Sequence, residues 1–129
     1  MTQYYINKSV DLSFDDAVLR VTEELKKEGF GILTEIDMQS TLKKRLDVDL
    51  RPYKILGACN PPFAYQAVQT DSHIGLLLPC NILVRDAGEG KTEVAAIDPV
   101  LSMSRVDNPA LTPIAQEIRT KLQRVIGCL

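Results

Sequence analysis

The chain has 129 residues, three cysteines, one histidine and a formal net charge of −2, and that length can bury a core without disulfides or metal. Its acidic balance, with a pI near 5.4, gives no electrostatic basis for binding a polyanion, because nucleic-acid affinity depends on neutralising phosphates. No apolar run is long enough to span a bilayer, no basic-then-apolar leader opens the chain, and an odd cysteine count fits a reducing compartment. The reading predicts a single domain over residues 1–129 in the cytoplasm, with neither nucleic acid nor membrane as partner.

Gln3 to Lys8 alternates as a strand, with Tyr4 and Ile6 on one face and Tyr5 on the other. Ser13 is a good N-cap, and Asp15 and Asp16 sit in a first turn where the helix dipole favours acids. Ala17, Val18, Val21 and Leu25 recur at helical spacing, Lys26 and Lys27 suit the last turn, and Gly29 stands just past the end. The spacing predicts a helix over Phe14–Lys27. Phe30 to Ile36 alternates as a second strand. Asp37 caps a short helix carrying Met38, Leu42 and Leu46, and Lys43, Lys44 and Arg45 read as its solvated basic face.

Tyr53 to Cys59 is the third strand. Asn60 is placed to cap the next helix, where Pro61 and Pro62 are tolerated because first-turn N–H groups lack helical partners anyway. Asp71-Ser72-His73 ends that helix. Leu76 to Arg85 is apolar on both faces, which predicts a central strand, with a bulge or an unpaired edge at Pro79. Ala87 to Gly90 turns the chain into a strand over Thr92–Ile97, stopped by Asp98-Pro99. Val100 to Asn108 reads as irregular but packed down.

A closing helix starts near Pro109 or Pro113, with Thr112 as candidate cap. Ile114, Ile118, Leu122, Val125 and Ile126 line one side of it. The order predicts an α+β fold in two layers. A mostly antiparallel sheet (β-α-β4-α with two short extra helices) is covered on one face by the two long helices.

Two apolar segments each run into a Cys-Asn pair: Ile55-Leu56-Gly57-Ala58-Cys59-Asn60-Pro61 and Leu77-Leu78-Pro79-Cys80-Asn81. These blocks resemble the domain of unknown function 302 family, and the resemblance spans most of the chain, including the long first helix and the Asp98-Pro99 exit. It implies a TATA-box-binding-protein-like α+β fold, often dimeric, with no established activity. A homodimer is the expectation.

The candidate ligand-binding residues lie in and between these blocks: Cys59, Asn60, Gly57, Cys80, Asn81 and His73. Cys80 shares a strand face with Leu76, Leu78, Ile82 and Val84 and reads as a buried small hydrophobe. Cys59 ends its strand before a helix whose positive end lowers a thiol pKa by less than about one unit. Reactivity there needs a helper, for which Arg51, Lys54 and His73 are nearest in sequence. Gly57 leaves room for a backbone or a ligand, Asn81 is placed to satisfy the backbone beside Pro79, and His73 is the one histidine for acid–base work.

The two cysteines are expected to approach beneath the helix starting at Pro61, whose N-terminus would offer donors to an anion or thiolate. Their spacing matches no zinc signature, so no metal is expected, nor any cofactor. No catalytic set is identified. Two functions stay open. One is a dimeric, non-catalytic domain binding a small ligand or protein partner near the Cys59–Asn60 helix terminus. The alternative is a thiol-dependent enzyme or redox protein using Cys59 with Cys80.

Overall fold

The computed structural model describes residues 3–129. The Ser13 hydroxyl accepts a hydrogen bond from the Asp16 N–H at 3.1 Å, and helix α1 (Phe14–Lys27) runs from that cap to Glu28. Gly29, at φ 87°, then takes the left-handed turn that any side chain would resist. Five strands follow the alternation of the sequence: β1 (Tyr5–Val10), β2 (Gly31–Asp37), β3 (Tyr53–Cys59), β4 (Cys80–Gly88) and β5 (Lys91–Ile97). They form one sheet in the order β1-β5-β4-β3-β2, with every neighbouring pair antiparallel.

Helix α5 (Leu111–Gly127) is the second long helix. Ala17, Val21 and Leu25 of α1 and Ile118, Leu122, Val125 and Ile126 of α5 pack into one core with Leu56, Ala58, Ile82, Val84, Val94 and Ala96. Those sheet residues alternate along their strands, so both long helices cover the same face. The fold is the two-layer α+β arrangement expected, with β4 at its centre. Tyr53, Ile55 and Leu83 lie on the other face, which neither long helix covers.

Two short helices, α2 (Met38–Leu46) and α3 (Pro61–Thr70), follow β2 and β3. Asp37 caps α2 by accepting from the Ser40 N–H at 2.9 Å. A second, smaller core joins α3 to the end of the chain: Ala67, Ile74, Met103, Leu111 and Ala115. It sits beside the main core and is built from the β3–β4 connection and the segment after β5. Among the described residues no helix is long and apolar enough to cross a membrane.

Several elements differ from the sequence reading. The first strand begins at Tyr5 and continues to Val10, because its ladder with Thr92–Ile97 sets its limits. The fourth strand begins at Cys80, not Leu76. Ile74–Leu77 forms a 3-10 turn that buries Ile74 in the smaller core, and the Leu78–Pro79 peptide is cis. Pro79 therefore precedes the strand and needs no bulge within it; the irregularities fall at Leu33 and Ala87 instead.

Helix α4 (Pro99–Ser102) occupies part of the segment read as irregular. Its cap, Asp98, is 4% exposed, accepts from the Val100 N–H at 3.0 Å and meets Arg119 of α5 at 3.3 Å. The closing helix starts at Leu111 behind Ala110, so Thr112 lies inside the helix and Pro113 in its first turn, where a missing N–H costs nothing. Asn60 occupies the N-cap position of α3 but makes no capping hydrogen bond there.

Candidate functional site

Small residues on facing helices leave space. Ala64 and Ala67 of α3 look toward Ala115 of α5, and between them and the end of the sheet lies a cleft of about 230 Å³. Phe30, Phe63, Leu78, Met103, Ile114 and Ile118 supply most of the remaining wall. Cys59, Asn60 and Cys80 border the same cleft. Of all the lining side chains, only Asn60 carries a nitrogen or oxygen atom.

The candidate residues thus divide into two groups. Cys59, half-buried, and Asn60 and Cys80, both buried, come together at the cleft. Gly57, Asn81 and His73 do not line it. The space at Gly57 is already filled: a methyl group there would overlap the Thr34 hydroxyl and stand 2.7 Å from Pro79 Cγ. No ligand is needed to explain that glycine. Asn81 pairs with Gly57 in the ladder and is exposed, with its side chain on the face opposite Cys80. His73 is 87% exposed, its Nδ1 3.9 Å from an Asp71 carboxylate oxygen. That is a solvated loop contact.

Asn60 acts through its own donor. Its Nδ2 donates to the Glu28 carbonyl at 3.0 Å, pinning the end of α1 to the start of α3. The α3 terminus is a poor anion site, for a reason legible in the two prolines. Pro61 and Pro62 occupy the first two helical positions and carry no N–H. The Ala64 N–H is bonded to the Asn60 carbonyl at 2.9 Å. Among the described residues this leaves the Phe63 N–H as the free donor of the first turn, against the several that an anion cradle uses.

The thiols are neighbours with different settings. Ala58, not Cys59, stands across from Cys80 in the β3–β4 ladder, so alternation turns the two side chains to opposite sides of the strand pair. Both are free, and a disulfide requires converging Cβ vectors that this register does not supply. Burial pushes the Cys80 thiol up to about 11, and the nearby Cys59 adds to the rise. Cys80 is therefore a neutral, weakly nucleophilic thiol at neutral pH. Among the described residues no cluster of three His, Cys, Asp or Glu side chains is arranged to hold a metal ion.

The sequence reading did not select Phe63, Met103, Ile114, Ala115 or Ile118 as site residues. Ile114 and Ile118 were legible as a helix stripe, and stripes ordinarily mean core. The available signal was the trio Ala64, Ala67 and Ala115, small where a filled interface would carry larger side chains.

Cys80 gives a direct check. In a Cys59→Ser, Cys128→Ser protein, the remaining thiol should resist a disulfide reagent at neutral pH and react fully once denaturant unfolds the chain. The raised folded-state value means that the unfolded chain loses this proton first. Its contribution to stability is whole below 9.0 and falls away as pH climbs toward about 11. Rapid labelling of the folded protein at neutral pH would contradict the burial argument.

Comparison with known proteins adds a family. The model of the family Domain of unknown function DUF302 matches residues 6–129. The crystal structure of an uncharacterized conserved DUF302 protein from Bacillus stearothermophilus is similar, with a TM-score of 0.90 and 27% identity over 98% of each chain. No curated protein matches the chain. With nearly its whole length matched, the chain belongs to the DUF302 family, whose description specifies no activity.

Proposed function

We propose that this is a ligand-binding domain rather than an enzyme, and that the cleft at the Cys59–Asn60 end of the sheet takes a small apolar molecule. The observation that carries the reading is the cleft itself: about 230 Å³ of space with an almost wholly apolar wall. Pockets of this kind, apolar with a few polar groups converging at one corner, are the usual form of small-molecule sites. No carboxylate, histidine or lysine in the wall supplies a general base, and burial holds the Cys80 thiol protonated. The thiol-enzyme reading has one specific support, the presence of both Cys59 and Cys80 at the cleft, and it would rest on Cys59 alone.

The test fills the space. Ala115→Leu should weaken the binding of 2-naphthol, read by its own fluorescence, by about tenfold or more, a loss of at least about 1.4 kcal/mol. Tyr65→Ala, on a residue 68% exposed outside the cleft, should leave binding unchanged. Equal affinity in wild type and Ala115→Leu would contradict the assignment of the cleft.

The same proposal includes a cytoplasmic homodimer. Free cysteines suit a reducing compartment. The sheet face opposite the long helices presents Tyr53, Ile55 and Leu83, which neither long helix covers, and that face is the natural seat for a second copy. Sedimentation should give a dimer at micromolar concentration for wild type and a monomer for Leu83→Arg. A wild-type monomer would count against the dimer.

A further inference from the structure

The cleft's wall also selects the electrical character of its ligand, and this step rests on the ligand-binding reading above. We infer that the ligand is a neutral amphiphile: an amide, alcohol or carbonyl head on an apolar chain or ring, with carboxylates and other anions excluded. Three observations converge on this class.

The first is the absence of cationic lining. No lysine, arginine or histidine borders the cleft. Lys121 lies over the Phe63 ring at 5.9 Å, but it stays outside the wall and its charge is met by Glu28 at 3.9 Å. A carboxylate entering the cleft would lose its hydration without gaining a partner charge, and burying an unpaired ion is among the costliest events in a protein.

The second is the disarmed helix terminus. A helix beginning beside a pocket ordinarily welcomes an anion through its free N–H groups. Here Pro61 and Pro62 remove two of them, and the Ala64 N–H is committed to the Asn60 carbonyl. The Phe63 N–H remains, enough for one hydrogen bond to a neutral acceptor.

The third is where the polar groups sit. Asn60 carries the one side-chain nitrogen and oxygen of the lining, and the Phe63 N–H lies three residues on, so the polar groups form one corner of an otherwise apolar wall. One polar corner matches one polar head. At interior packing density the cleft would hold about ten non-hydrogen atoms.

The probes are octanamide and octanoate, which match in size and shape and differ in charge, titrated calorimetrically against the full chain at neutral pH. Octanamide should bind about tenfold or more tightly than octanoate, the penalty for an unpaired carboxylate. Equal binding, or tighter binding of octanoate, overturns the inference while leaving the cleft as a binding site. Binding of neither overturns both readings at once. A second arm tests the proline argument. Pro62→Ala returns one N–H to the first turn and should narrow the preference for the amide, provided the variant melts as a folded protein. A ratio unchanged in the folded variant would overturn the role assigned to the prolines, and Pro61→Ala supplies the same readout should Pro62→Ala fail to fold.

Discussion

Glu28 ties the end of α1 to α3 and α5, the two helices that line the cleft. Its carbonyl, at the C-cap of α1, accepts the Asn60 carboxamide at 3.0 Å and so fixes where α3 departs from the sheet. Its carboxylate receives Arg124 of α5 through two nitrogens, at 3.1 and 2.8 Å. The Arg124 hydrogen bond holds the Glu28 carboxyl below the usual carboxylate range. An exposed ion pair contributes little by itself, but the Asn60 bond is a different case. Asn60 is 6% exposed, and a buried polar group deprived of its partner costs about 1–3 kcal/mol. Gly29 completes the joint, with the Asn60 carboxamide 3.3 Å from where a side chain would begin.

With α3 and α5 placed this way, side-chain volume decides what lies between them. The main core excludes solvent, with Leu25, Leu56, Ile82 and Leu122 sealed from it. The interface of α3 with α5 does not, because alanines stand where longer side chains would meet. Interiors normally pack to crystal-like density, so a gap bordered by Phe63, Met103 and Ile118 is a departure that stability alone would not favour. The proposed ligand site accounts for that gap. The sheet end supplies the floor, the smaller core supplies one flank, and the two prolines leave the helix terminus with few free donors.

The parts of the fold that repeat locally were legible in the sequence. α1 and α5 carry apolar stripes at helical spacing, and Ser13 and Asp37 cap as their chemistry suggests. The Leu76–Arg85 run was misread because continuous apolarity does not distinguish a strand from a packed turn. Ile74 is buried in a cluster that includes Met103, Leu111 and Ala115, more than two dozen positions away, and no window of sequence displays those. Asn60 shows the same limit. Its position beside a helix start predicts a cap, yet its partner is the carbonyl of Glu28, 32 residues earlier. Gly57 suggested room for a ligand, but Thr34 and Pro79, brought in by register and by the preceding turn, already occupy that room. The family resemblance carried the fold and left the activity open, as fold generally does.

The proposed function requires the cleft to be a built site and not a packing flaw. Methyl-labelled protein titrated with 2-naphthol and followed by NMR reports that most directly. Shift changes should be confined to the methyls of Ala64, Ala67, Ala115, Ile114 and Ile118 around the cleft. Changes centred on Ile55, Leu83 and Ala95 of the open sheet face, or none at saturating ligand, would contradict it.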